Sequence, residues 1–194
     1  MFKPLPLDLA DGTNTAGSSQ TIVKRLARDE TTALLQEVPE VYHTQISDLL
    51  LAALAQALTH WTGQHRHRVS VEGHGREAVA IGNGAGIDVS RTVGWFTTIY
   101  PVLLEVRNGE APDRVLRRIK EQLRKVPQRG LGFGLIRYLR EQQVGQPALA
   151  FAREATDGEI SFNYLGQFDQ VLGVAQEWRA APRQSAPTHE PDGR

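Results

Sequence analysis

The 194-residue sequence predicts an α/β fold, a mixed sheet flanked by helices, on three observations. Apolar residues recur at helical spacing from Ser47 to about Trp61, and again after Pro112. Shorter runs, Arg68–Glu72 and Ile99–Val106, alternate or are rich in β-branched residues, as strands are. Glycine and proline punctuate the chain between these segments, so helix and strand patterns interleave along its whole length.

The chain is long enough for one sizeable domain or two small ones. Forty per cent of its residues are hydrophobic and 23% are charged, the proportions of an ordinary globular protein. Lys plus Arg and Asp plus Glu number 22 each, so the formal charge is zero and no basic excess points to nucleic acid. Without cysteine there is no disulfide framework, no thiolate metal site and no cysteine nucleophile. No apolar run approaches the ~20 residues of a membrane span, and Met1–Pro6 lacks the apolar stretch of a secretory signal. The expectation is a soluble cytoplasmic protein with no membrane partner.

Residues 1–20, with Pro4, Pro6, Gly12 and Gly17, read as a loop or edge segment. Thr21–Leu26 has the β-branched content of a strand, and Asp29–Thr32 caps a short helix from Thr32 to Glu37, closed by Pro39. The strongest helix opens at Ser47, with Leu50, Leu51, Leu54, Leu58 and Trp61 on an apolar face, Asp48 complementing the helix dipole and Gly63 ending it. Such an apolar helix reads as a core scaffold. Ala78–Gly86 reads as an exposed glycine-rich loop. Ile99–Val106 is a largely buried strand in which Pro101 signals an edge or a bulge. The helix after Pro112 packs on Val115, Leu116, Ile119 and Leu123; its other face carries Arg114, Arg117, Arg118, Lys120 and Arg124, ordinarily a solvated face. Pro127–Gly134 places glycine at every second position and reads as a tight turn, followed by a short helix over Leu135–Gln142. Glu159–Leu165 is a strand. The proline-rich residues 179–194 are expected to form a disordered tail after a domain spanning residues 1–178.

The densest chemistry lies in Glu72-Gly73-His74-Gly75-Arg76-Glu77. Strand alternation sends Val69 and Val71 to one face and Ser70 and Glu72 to the other, leaving Glu72 at a strand end before a glycine. Six histidines form no His-Glu-x-x-His pattern, so no metal site is expected. Neither a Gly-x-Ser-x-Gly turn nor a dinucleotide fingerprint is present. The glycine turn lacks the Lys-Ser/Thr of a phosphate loop. Carboxylate acid–base chemistry survives, with Glu72 as the leading group; a carboxylate in a partly desolvated channel is pushed toward proton exchange near neutrality.

Five strings occur together: Asp48–Ala53, Glu72–Glu77, Arg91–Thr97 with Tyr100-Pro101 and Glu105, Pro127–Gly134, and Phe162–Asp169. In this order, over roughly residues 5 to 178, they resemble the signature motifs of epimerization domains of non-ribosomal peptide synthetases, relatives of the condensation domains. The resemblance implies a fold of two lobes, each like chloramphenicol acetyltransferase, of which this chain is the C-terminal lobe. It implies that a peptidyl carrier protein delivers an aminoacyl or peptidyl thioester on a phosphopantetheine arm. No other cofactor is implied. The Cα proton is removed and returned on the opposite face, converting L to D. Two groups then carry protons, one per face: a histidine of an HHxxxDG motif and the glutamate matched here by Glu72. Arg76 is expected to orient or balance that carboxylate, with His74, Asn163 and Tyr164 as supporting residues; strict alternation would turn only one of Asn163 and Tyr164 to the channel.

The sequence departs from the family pattern. No HHxxxDG occurs, and Phe133 stands where tyrosine is usual. The implied partner is therefore the missing N-terminal lobe, and the isolated chain is expected to be inactive. The alternatives are a non-catalytic carrier-binding remnant using the basic helix, or an amide-forming condensation lobe.

Overall fold

A computed structural model describes residues 3–9, 11–13, 15–76, 79–81, 85–89, 91–139 and 159–167. The chain falls into two compact units, Met1–Leu5 with Arg28–Tyr164, and Pro6–Ala27 with Leu165–Arg194. The expected disordered tail, Glu77 and Phe168-Asp169 lie outside the described residues.

Among the described residues, the first unit is built on a three-stranded sheet. β1 (Arg66–Gly73) is central, antiparallel to β4 (Thr98–Glu105) and parallel to β5 (Ser161–Phe162). One face of this sheet carries Val69 and Val71 of β1 beside Val102 and Leu104 of β4, all buried. They pack on Leu51, Ala52 and Ala55 of α3 (Ile46–Thr62) and on Val115, Leu116 and Ile119 of α4 (Pro112–Arg124). Sheet and two helices thus bury one contiguous apolar layer. His67 shares that face, 4% exposed, with Nε2 3.0 Å from the Gln64 carbonyl and 3.1 Å from Thr59 Oγ1. Burial holds its pKa below the ordinary histidine value, against the raising effect of the Gln64 hydrogen bond.

Several sequence expectations hold. Among the described residues β4 is an edge strand, which explains how Pro101 is tolerated without a lost ladder bond. α3 ends at Gly63 in the left-handed region, and the Asp48 carboxylate accepts from the Gln45 N–H at 2.8 Å as a reciprocal cap.

Others are corrected. Thr21–Leu26 forms no strand: Ile22, Val23 and Leu26 are all more than half exposed and no neighbouring strand pairs with them among the described residues. Pro39 does not close a helix at Glu37. The helical path runs through α1 (Arg28–Thr32), a π turn (Ala33–Glu37) and α2 (Val38–Tyr42), with Pro39 just after the π turn, where the regular i→i−4 ladder is interrupted. Trp61 is 58% exposed, because the buried stripe of α3 is narrower than its composition suggested. The glycine-rich loop after Ala78 contains a small hairpin, β2 (Val79–Ile81) with β3 (Ala85–Ile87). The turn at Pro127 is a short 3₁₀ segment (Pro127–Gly130) leading straight into α5 (Leu131–Leu139), which therefore starts four residues earlier than expected.

The basic face of α4 is not simply solvated. Arg118 makes a bidentate ion pair with Glu110, with contacts from 2.8 to 3.1 Å, and Arg107 N–H adds 3.1 Å to the same carboxylate. Lys120 donates to the Tyr42 carbonyl at 2.9 Å, Arg124 to the His43 carbonyl at 2.9 Å, and Arg117 lies over the Tyr42 ring at 5.3 Å. The basic residues thus tie the end of α2 to α4.

Candidate functional site

β1 carries Glu72 to the end of the sheet, and its pairing with β5 decides what stands beside it. The parallel register runs Ser70 to Ser161 and Val71 to Phe162. One further step along both chains sets Glu72 against Asn163. There the Asn163 Nδ2 donates to Glu72 Oε2 at 2.6 Å, joining residues 91 positions apart. A carboxylate that accepts a short amide hydrogen bond is held in one orientation while its second oxygen stays available.

Glu72 opens onto a cleft of about 450 Å³ at the sheet end. Its walls come from the start of α3 (Asp48, Leu51), the start of β4 (Thr98, Tyr100), the end of α4 (Arg124) and the following turn (Arg129). Tyr164 lines the same cleft. Both Asn163 and Tyr164 therefore reach the site: β5 ends at Phe162, so strand alternation no longer governs the two residues after it.

Arg76 stands differently from the expectation that it orients or balances Glu72. Its guanidinium lies 4.3 Å from the Phe96 ring centroid and donates to the Val89 carbonyl. No ion pair between Arg76 and Glu72 occurs among the described residues. Gly75 explains the detour: at φ +65° it crosses the Phe96 backbone so closely that a Cβ there would lie 1.6 Å from the Phe96 carbonyl oxygen. Arg76 fixes the loop beyond the site, and the Arg91–Thr97 string is the other half of that contact. His74 is exposed on the rim of the cleft, its Nδ1 3.0 Å from the Arg76 N–H. Val93 and Trp95 of the same string are 99% and 90% exposed.

Asp48, Thr98, Tyr100, Arg124 and Arg129 were not singled out as site residues from the sequence. Tyr100 had a usable signal, since Tyr100-Pro101 recurs among the strings and pairs opposite Val71. The others reach the cleft only through tertiary packing. Arg129 is presented by unusual backbone, because Gln128 and Arg129 both adopt left-handed conformations at φ 46° and 48°.

The condensation domain family model matches residues 2–190 of this sequence. The chain belongs to the condensation domain family. It is 51% identical over 166 residues to a linear gramicidin synthase chain of Brevibacillus parabrevis, covering 86% of this chain and 3% of that protein. It is also 45% identical over 172 residues to a plipastatin synthase chain of Bacillus subtilis, covering 85% of this chain and 4% of that one. Among solved structures, the epimerization domain from the third module of tyrocidine synthetase B matches with 43% identity and a TM-score of 0.63. That match covers 74% of this chain and 30% of the epimerization domain chain. The condensation/epimerization fold read from the five strings is thereby borne out, and this chain spans a small part of each relative. No helix among the described residues is long and apolar enough to cross a membrane.

Proposed function

We propose that this chain supplies one half of an epimerase active site, in which Glu72 moves a proton at Cα of an aminoacyl or peptidyl thioester presented on a carrier protein's phosphopantetheine arm. The observation that carries the proposal is the 2.6 Å hydrogen bond from Asn163 to Glu72 at the mouth of a cleft large enough for the acyl group. The thioester makes the Cα proton acidic, and inversion needs a proton carrier on each face of the carbanion plane. Glu72 serves one face. Asn163 is a positioning residue that fixes the attacking oxygen. Tyr164 and Tyr100 border the volume where the acyl group sits, and His74 stands at the rim.

The second proton carrier is the histidine of an HHxxxDG segment in an N-terminal lobe, absent from this sequence. The exposed Val93 and Trp95 support a requirement for that lobe, since an apolar pair on the loop bracing Arg76 is well suited to lie under a covering surface. Alone, the chain is inactive.

The test is deuterium incorporation at Cα of a carrier-bound aminoacyl thioester, with this chain alone and with a separately supplied histidine-bearing half. Exchange in the mixture and not with the chain alone is the expected result. Exchange by the chain alone, abolished by Glu72→Gln, would contradict the need for a second half. Amide formation without exchange would instead favour a condensation lobe.

A further inference from the structure

Among the described residues β1 is the central strand, so Glu72 has a neighbour on each side. On the β5 side stands Asn163, which donates to the carboxylate. On the β4 side the register sets Ile99 directly opposite Glu72. Directly opposed residues of an antiparallel pair project to the same face, with Cβ atoms about 4.5–5.5 Å apart. Glu72 therefore has one polar flank and one apolar flank.

The two faces of β4 are unlike. Val102 and Leu104, on the face packed against the helices, are 5% and 0% exposed. Ile99 and Leu103, on the face shared with Glu72, are 55% and 42% exposed. Solvated positions of an antiparallel strand ordinarily carry polar side chains. Here three successive ones are Ile99, Pro101 and Leu103, opposed on β1 by Glu72, Ser70 and Arg68. Only the pair at the sheet end joins an exposed apolar side chain to a carboxylate. A single surface isoleucine needs no explanation by itself. One in register with the group assigned to proton transfer has a use.

We infer that Ile99 is a specificity-determining residue: it meets the side chain on the substrate's Cα and favours an aliphatic one. The inference rests on the epimerase reading above. A Cα placed for proton transfer to Glu72 holds its three other substituents around that carboxylate. Glu72 borders both the cleft and this sheet face. The acyl carbonyl and the amino group then have the cleft and the Asn163 flank, and the side chain has the Ile99 flank. An aliphatic side chain there removes the exposed isoleucine from water, which stabilises the bound state. A polar one loses hydration against it and gains no hydrogen bond from it.

The experiment measures deuterium exchange at Cα of carrier-bound alanyl, leucyl and asparaginyl thioesters by this chain joined with a histidine-bearing half. Asparagine is close to leucine in size, so it separates apolar contact from bulk. The parent favours the leucyl thioester over both others by about tenfold in kcat/KM. Ile99→Ala and Ile99→Thr each bring that preference down to about twofold or less. Threonine keeps the β-branch that suits a strand, so a folding defect in the alanine variant does not decide the result. Leu103→Ala, on the same face about 13 Å further along β4, keeps the parental ratios. Equal kcat/KM for the three thioesters in the parent overturns the inference. So does a leucyl preference that survives both Ile99 changes; if all three rates then fall together, Ile99 lies under the other lobe instead. Exchange that is absent in the parent, or that survives Glu72→Gln, sinks the site reading and the Ile99 assignment with it. Exchange that needs Glu72 and ignores Ile99 sinks the assignment alone.

Discussion

Gly130 and Gly132 are two residues apart, and the same change to alanine is expected to act on them with opposite sign. At Gly130, alanine must hold a left-handed backbone, which costs about 1–2 kcal/mol. Its Cβ also falls 2.0 Å from Tyr100 Cγ and 2.2 Å from Cδ1, well inside contact distance. Relief requires moving the Tyr100 ring or the 3₁₀ turn, and overpacking of this kind costs about 1–3 kcal/mol more. The sum, about 2–5 kcal/mol, is a large part of the stability of an ordinary domain. At Gly132 the added methyl meets open space in a helix, so alanine gains about 0.5 kcal/mol. Urea titration by circular dichroism, with the slope checked for constancy, reads both midpoints. Gly130→Ala moves its midpoint sharply down or leaves no folded baseline; Gly132→Ala moves it slightly up. A Gly130→Ala midpoint within experimental error of the parent would refute the packing of Tyr100 on the turn.

Three further outcomes follow from the fold. The folded-state pKa of Glu110 is lowered chiefly by its hydrogen bonds from Arg118, so its contribution is present above the unfolded carboxylate value and is lost as pH falls through the folded one. Glu110→Gln therefore lowers stability by about 1–2 kcal/mol at neutral pH and flattens the acid limb below about pH 4.5, read by urea midpoints across pH; an unchanged limb contradicts the role of the pair. Burial lowers the pKa of His67, so the unfolded chain binds its proton first and stability falls as pH drops below about 6.5. His67→Gln removes that slope, and a slope that persists assigns it elsewhere. Gln122 caps the open edge of β4, its Oε1 3.0 Å from the Glu105 N–H and its Nε2 3.2 Å from the Glu105 carbonyl. Gln122→Leu leaves both groups unpaired, costs about 1–3 kcal/mol and promotes self-association at the edge; a variant as stable and as monomeric as the parent by sedimentation contradicts the cap.

What the sequence made legible was whatever depends on local pattern. The helices at Ile46–Thr62 and Pro112–Arg124 follow from periodicity, and the edge placement of β4 from Pro101. Glu72 at a strand end follows from alternation, and its neighbourhood with Asn163 from the order of recognisable strings. Partners set by tertiary packing were not legible. Arg76 turns to Phe96 because Gly75 lets the loop cross that backbone, which no spacing rule encodes. Arg124 reaches the cleft from the end of a helix whose basic residues looked merely solvated. Thr21–Leu26 has strand-like residues with no partner strand among the described residues, and β propensity without a neighbour makes no strand. Gly130 looked like one of three equivalent glycines until the Tyr100 ring distinguished it.

The central claim is that Glu72, oriented by Asn163, carries a proton to or from Cα. The most direct measurement compares deuterium incorporation into L- and D-configured carrier-bound thioesters by this chain joined with a histidine-bearing half, for the parent, Glu72→Gln and Asn163→Ala. Glu72→Gln is expected to lower exchange by about 100-fold or more for at least one configuration, and Asn163→Ala by a smaller factor on the same configuration. Exchange from both configurations at the parental rate in Glu72→Gln would contradict the account.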